Sequence, residues 1–146
     1  MKAILDRGAI EKILPHRAPF LFVDSVLEMD KGKRILASRK FIDEDYFFAG
    51  HFPGNPVVPG VILAEAMAQA AGLLAYCSTG RTYKDSGAIL LRFDKMAFRR
   101  IVRPDEEVIM EATLQRRRNP VWKFVVSAKV GDETCADGVI MASFTE

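Results

Sequence analysis

Pro59-Gly60-Val61-Ile62-Leu63-Ala64-Glu65-Ala66-Met67-Ala68-Gln69-Ala70-Ala71-Gly72-Leu73-Leu74-Ala75-Tyr76-Cys77-Ser78 reads as one helix around which the rest of the chain can be placed. From Val61 to Cys77 it is apolar on nearly every side, and a helix of that kind is surrounded by protein. The apolar run is shorter than the ~20 residues a bilayer span needs, and Glu65 and Gln69 interrupt it, which predicts a buried element and no membrane. Ala64, Ala68, Ala71, Gly72 and Ala75 let other backbone approach closely. Thr79-Gly80 is the expected stop, glycine taking the left-handed conformation past a helix end.

Outward from the helix the pattern changes period. On its N-terminal side, residues 9–14 predict a short helix stopped by Pro15, and Phe20 to Leu27 predict a strand. Asp30-Lys31-Gly32-Lys33 is turn chemistry leading to a second strand, Arg34 to Phe41. A long loop from Asp43 to Pro59 follows, and a loop of that length in a compact domain is usually functional. On the C-terminal side the spacing predicts strands over Ala88–Phe98, Glu107–Arg117, Val121–Val130 and Thr134–Phe144, ordered as a meander with turns at Asn119-Pro120 and Gly131-Asp132-Glu133. Two strands, one long helix and four strands make an α+β domain with an antiparallel sheet, expected to be a single domain over 1–146. One face of one sheet cannot bury such a helix all round. The sheet must wrap it or a second copy must cover it, which predicts a homodimer.

Composition removes several classes of function. With 49 % hydrophobic and 27 % charged residues the chain is an ordinary globular one, and a net charge of +2 gives no case for nucleic acid. Cys77 and Cys135 lack the spacing of a disulfide framework or a zinc site, so free thiols in a reducing cytoplasm are expected. No apolar signal core occupies the first residues, in keeping with a cytoplasmic location. Two histidines without a ligand cluster predict no metal, and the absence of Gly-x-Ser-x-Gly argues against a serine triad.

The candidate chemistry lies where loop becomes helix. His51 sits in a loop stiffened by Pro53, Pro56 and Pro59, and Glu65 stands alone on the apolar helix. Val61, Glu65 and Gln69 share a helix face, so Gln69 is expected to support the Glu65 carboxyl by hydrogen bonding. Gly60, at the helix start, presents an N–H without an intrahelical partner, suited to an oxyanion. Removing water from a 3-hydroxyacyl group needs a base for the C2 proton, a task that suits histidine, and an acid for the departing hydroxyl. A carboxyl serves as that acid only when protonated, which apolar surroundings favour; Leu63, Ala64 and Met67 are the expected surroundings.

The chain resembles a known family along nearly its whole length. Leu14-Pro15-His16-Arg17-Ala18-Pro19-Phe20-Leu21-Phe22-Val23-Asp24 is similar to the N-terminal signature of (3R)-hydroxyacyl-acyl carrier protein dehydratases of the FabZ type. Phe48-Ala49-Gly50-His51-Phe52-Pro53-Gly54, Pro56-Val57-Val58-Pro59-Gly60-Val61 and Glu65-Ala66-Met67-Ala68-Gln69 resemble its active-site loop and helix, and Phe98-Arg99-Arg100 with Trp122-Lys123-Phe124 its later strands. The resemblance implies a hot-dog fold, a curled antiparallel sheet around one helix. It implies a hydro-lyase of fatty acid biosynthesis with no cofactor, the substrate riding on the phosphopantetheine arm of acyl carrier protein. It implies dimers, commonly a trimer of dimers, whose sites take His51 from one subunit and Glu65 from the other. In those roles His51 is base, Glu65 acid and Gly60 N–H the carbonyl-polarising donor. Isomerising relatives of the FabA type have aspartate where Glu65 stands, which favours dehydration alone. Residues 98–106 depart from the family pattern, lacking a proline and a glycine in that turn.

Basic residues gather at Arg99, Arg100 and Arg103 and again at Arg116, Arg117, Arg118 and Lys123. The first group is the expected carrier-protein contact, against the alternative of salt bridges to Asp105, Glu106 and Glu107. His16 is expected to be structural. Acyl-chain depth is expected to depend on Phe47, Phe48, Met67, Ile89 and Met96. A thioesterase and a non-catalytic acyl-thioester binding module remain as alternatives that the same fold can host.

Overall fold

A computed structural model describes residues 2–145. Its elements are α1 (Arg7–Ile13), β1 (Ser25–Asp30), β2 (Arg34–Lys40), α2 (Gly60–Thr79), β3 (Ala88–Phe98), β4 (Glu107–Arg118), β5 (Val121–Val130) and β6 (Glu133–Phe144). The strands form one six-stranded antiparallel sheet in the order β1-β2-β4-β5-β6-β3, curled about α2 in a hot-dog fold. The helix packs chiefly on β4, β2 and β5. Ile62, Ala66, Met67, Ala70, Leu73 and Leu74 of α2 meet Val108, Met110, Ala112, Phe124, Val126 and Ala128 in a continuous core. Gly80, at φ 67°, ends the helix in the left-handed conformation and turns its N–H back to the Cys77 and Tyr76 carbonyls.

Three expectations need correction. β4, β5 and β6 do run as a meander, but β3 does not begin it. It lies on the outer side of β6, while β2 takes the place beside β4. The helix lies between β2 and β3 in sequence and carries the chain across, so a strand that follows it need not pair with the next one. Phe20 to Asp24 are not strand; β1 begins at Ser25. Their backbone bonds go elsewhere, Phe22 N–H to Gln69 Oε1 (2.7 Å) and Asp24 N–H to the Ser38 carbonyl (2.8 Å). Finally, α2 has 20 residues, enough by length and composition to cross a bilayer, yet 67 % of its most apolar window is buried inside this fold. It is the core helix.

α1 begins at Arg7 because Asp6 caps it, Oδ1 accepting from the Ala9 N–H at 2.8 Å. β3 leaves much apolar surface at the sheet edge: Ile89, Leu90, Leu91 and Phe93 are all exposed. On the helix Val61 is 75 % exposed, which leaves the side of α2 that carries it uncovered by its own sheet.

Candidate active site

The loop that carries His51 is fixed by three separate anchors. Arg39, only 7 % exposed, holds Asp24 Oδ1 (3.1 Å) and Asp45 Oδ1 (2.8 Å) and lies over the Phe41 ring. Phe47 packs edge-on against Phe41, Phe22 and Phe48. Arg103 reaches back to Asn55 Oδ1 at 2.8 Å. Within the loop, the Phe52 and Asn55 main chains exchange hydrogen bonds, and Val57 N–H donates to the His51 carbonyl.

The imidazole is set by main chain as well. His51 Nδ1 lies 2.8 Å from the Val57 carbonyl oxygen. A carbonyl can only accept, so Nδ1 carries the proton and Nε2 is left as the basic nitrogen. With Val57, Val58, Gly60, Leu63 and Phe98, His51 lines a cavity of about 300 Å³. Gly60 is the first residue of α2, and the helix ladder starts beyond it, with Ile62 and Leu63 N–H donating to the Pro59 carbonyl. Its N–H therefore stands free of the ladder, beside His51. A Cβ at Gly60 would meet the Phe98 ring at 3.1–3.2 Å, so a side chain there has to displace that ring.

Glu65 faces elsewhere. Five residues on from Gly60, it points about 140° away around the helix. It lines a second cavity of about 390 Å³ with His16, Gln69, Gly72, Tyr76 and Leu90. Leu63, Ala64 and Met67, the expected surroundings, do not line it. The carboxyl, on a side chain 23 % exposed, instead accepts from Gln69 Nε2 at 3.0 Å and lies 3.5 Å from His16 Nε2. Gln69 is 2 % exposed and fully used: Oε1 accepts from Phe22 N–H and Nε2 also donates to the Phe20 carbonyl at 2.9 Å. That amide both aims the Glu65 carboxyl and ties the helix to residues 20–22. His16, for which the sequence predicts a structural role, lines this cavity beside the Glu65 carboxyl, with its Nδ1 buried and unpartnered. The only signal for it was its place in the Leu14-Pro15-His16-Arg17 motif. One chain thus brings His51 and Gly60 together, and Glu65, Gln69 and His16 together, but does not join the two groups.

The basic residues also divide. Arg99 pairs bidentately with Asp137 (2.7 and 3.1 Å), and its guanidinium holds that carboxyl below its ordinary range. Arg100 pairs with Glu106 (2.6 and 3.0 Å), whose carboxyl is likewise lowered, chiefly by that hydrogen bond. With Arg103 on Asn55, all three are committed within the chain. At the β4–β5 hairpin Arg116 lies directly opposite Lys123, and among the described residues neither they nor Arg118 has an acidic partner. Arg117 stacks over Trp122 and donates to Asn119 Oδ1.

Known proteins match this chain over nearly its whole length. The family model described as a FabA-like domain matches residues 14–138. The chain is 42 % identical over 140 residues to "3-hydroxyacyl-(acyl-carrier-protein) dehydratase FabZ" of Verminephrobacter eiseniae, covering 95 % of this chain and 93 % of that one. The chain belongs to the FabZ-type dehydratase family. A second member, from Acidovorax sp., is 41 % identical over 95 % of this chain and 97 % of its own. Among solved structures, the dehydratase heterocomplex ApeI:P from Xenorhabdus doucetiae superposes with a TM-score of 0.79 over 94 % of this chain and 91 % of that one. At 15 % identity that likeness speaks to the fold alone. Among the described residues no group of three or more His, Cys, Asp or Glu side chains is placed to hold a metal.

Proposed function

We propose that this FabZ-type chain removes water from 3-hydroxyacyl groups carried on acyl carrier protein in fatty acid synthesis, with His51 as base and Glu65 as acid. The observation that carries the mechanism is the contrast between the two polar clusters: a histidine with a free Nε2 beside a free helix-start N–H, and a carboxyl aimed by a buried amide. His51 Nε2 takes the C2 proton, and its electrons form the C2–C3 double bond. The C3–O bond breaks, and the Glu65 proton completes the departing water. Gly60 N–H meets the charge that grows on the thioester oxygen. No step calls for a cofactor.

Completing the site requires a second copy. The exposed apolar edge of β3 is a ready template for strand pairing, and Val61 and the cavity beside Glu65 lie on the uncovered helix face. A dimer formed through β3 covers both, and a site built there takes His51 from one subunit and Glu65 from the other. The location follows from use of carrier-borne substrate and is cytoplasmic. For the carrier protein, Arg116, Arg118 and Lys123 replace Arg99, Arg100 and Arg103 as the contact, because their charge is not already spent and two of them directly oppose each other at a cost.

The test is incubation with 3-hydroxyacyl carrier protein, followed by mass spectrometry. An enoyl thioester 18 mass units lighter is the expected product. Release of free thiol and acid instead would make the protein a thioesterase.

A further inference from the structure

We infer that Tyr76 and Phe144 form the end wall of the acyl channel and set the longest chain the protein takes; this rests on the dehydratase reading. The cavity beside Glu65 runs along α2 past Gly72 to Tyr76, with Leu90, Phe124 and Ile140 as its apolar lining. None of Phe47, Phe48, Met67, Ile89 or Met96, the residues expected to govern depth, lines it. Phe47 and Phe48 are instead engaged in the aromatic anchor of the loop.

A second cavity of about 500 Å³ lies beyond, lined by Ser78, Thr79, Arg81, Arg117 and Asn119. Tyr76 and Phe144 line both cavities and so stand between them. The wall is rigid. Tyr76 is 2 % exposed, its hydroxyl donates to the Ser86 carbonyl at 2.7 Å, and its ring meets Phe144 edge-on at 5.5 Å and 89°. Trp122 backs Phe144 at 5.7 Å. The far side sets Arg81, Arg117 and Asn119 beside Ala75, Pro120 and Trp122, so an alkyl tail that passed the wall would exchange a mainly apolar lining for a mixed one that water competes for.

Distance separates this wall from the chemistry. Tyr76 is eleven residues beyond Glu65, about 16 Å along the helix axis at 1.5 Å per residue. The wall therefore meets the methyl end of a long chain and none of the reacting carbons. Each methylene given an apolar place changes kcat/KM about fourfold.

The experiment compares wild type, Phe144→Ala and Ala142→Leu across 3-hydroxyacyl carrier proteins of increasing chain length, with thermal unfolding and oligomeric state as checks on folding. Phe144→Ala, near the chain end, removes part of the wall, while Ala142→Leu fills the channel ahead of it. The ratio of long-chain to short-chain kcat/KM should rise at least tenfold in the first, from a gain of two or more methylenes, and fall in the second. Dissociation constants for non-reacting saturated acyl-pantetheines of the same lengths read the wall without turnover. A length profile that is the same in all three folded proteins, by rate or by binding, overturns the inference. Binding that shifts with length while no substrate is dehydrated overturns the dehydratase reading and leaves the wall standing.

Discussion

His51 and Glu65 are held by different kinds of partner. The histidine is fixed by main chain, its Nδ1 on the Val57 carbonyl and its own carbonyl on the Val57 N–H. The glutamate is fixed by side chains, Gln69 above all, with His16 alongside. A main-chain cage needs a rigid loop, which explains the prolines and the buried Arg39. A side-chain support needs only helix spacing and tolerates an open side where a second subunit can close it. The imidazole is thus held on a fixed path of main chain, and the carboxyl by one buried amide on an otherwise open face.

The sharpest way to break that contrast is to remove each group in turn. His51→Ala and Glu65→Gln should each lower the dehydration rate by about a thousandfold with the fold intact, read by steady-state kinetics and circular dichroism. Mixing the two inactive proteins under proven subunit exchange should restore about a quarter of the native rate, because half of the dimers are mixed and each holds one whole site. No recovery would mean that one chain supplies both groups.

Next in size is the anchor of the His51 loop. Arg39→Ala leaves Asp45 without its cation and Asp24 with Arg7 alone, and should cost about 3 kcal/mol in urea unfolding, the low end for a broken buried pair because Asp24 keeps that partner and is 36 % exposed. Gln69→Ala tests the support of the Glu65 carboxyl. It strands the buried Phe22 N–H and should cost about 2 kcal/mol while lowering turnover with little change in KM. If turnover is untouched, Gln69 is a strut for residues 20–22 and nothing more.

Smallest is the pH effect of the committed basic cluster. Hydrogen bonding from Arg100 holds Glu106 below its ordinary value of 4.5. A lowered carboxylate stabilises the fold above that value, and the stability is lost as pH falls through the lowered one. Wild type should therefore exceed Glu106→Gln by a few tenths of a kcal/mol at neutral pH, the difference shrinking as pH falls below 4.5 and vanishing once it has passed the lowered value. A difference that persists in acid would show that charge is not its source.

What was legible in the sequence was local. The bounds of α2 and of β3 to β6 follow from period and from Gly80, Asn119, Pro120 and Gly131, residues that stop or turn the chain through their own geometry. The pairing of acid and amide follows from the four-residue step between Glu65 and Gln69. What was not legible is contact across the chain. Nothing near Arg39 says that it will be buried between Asp24 and Asp45, and nothing near β3 says that it will cross to β6. His16 reaches Glu65 across 49 positions in sequence, a distance no helical or strand period spans. Phe47, Phe48, Met67, Ile89 and Met96 stand outside the cavity beside Glu65 for the same reason: bulk says what is large, while the cavity depends on which face of α2 and which ends of β5 and β6 converge.

The Val57 carbonyl has a consequence for how such a protein can change. It decides which nitrogen of His51 is the base, yet the group belongs to every amino acid alike. Substitution at residue 57 can alter shape and packing but cannot delete that oxygen, so a survey that replaces one side chain after another would pass the determinant of the base as silent. Replacing the peptide link between residues 57 and 58 with an ester, which weakens that carbonyl as an acceptor and also removes the Val58 N–H bond to the Val102 carbonyl, would expose it. Inheritance can vary the side chain freely, and what it preserves is the path of the chain.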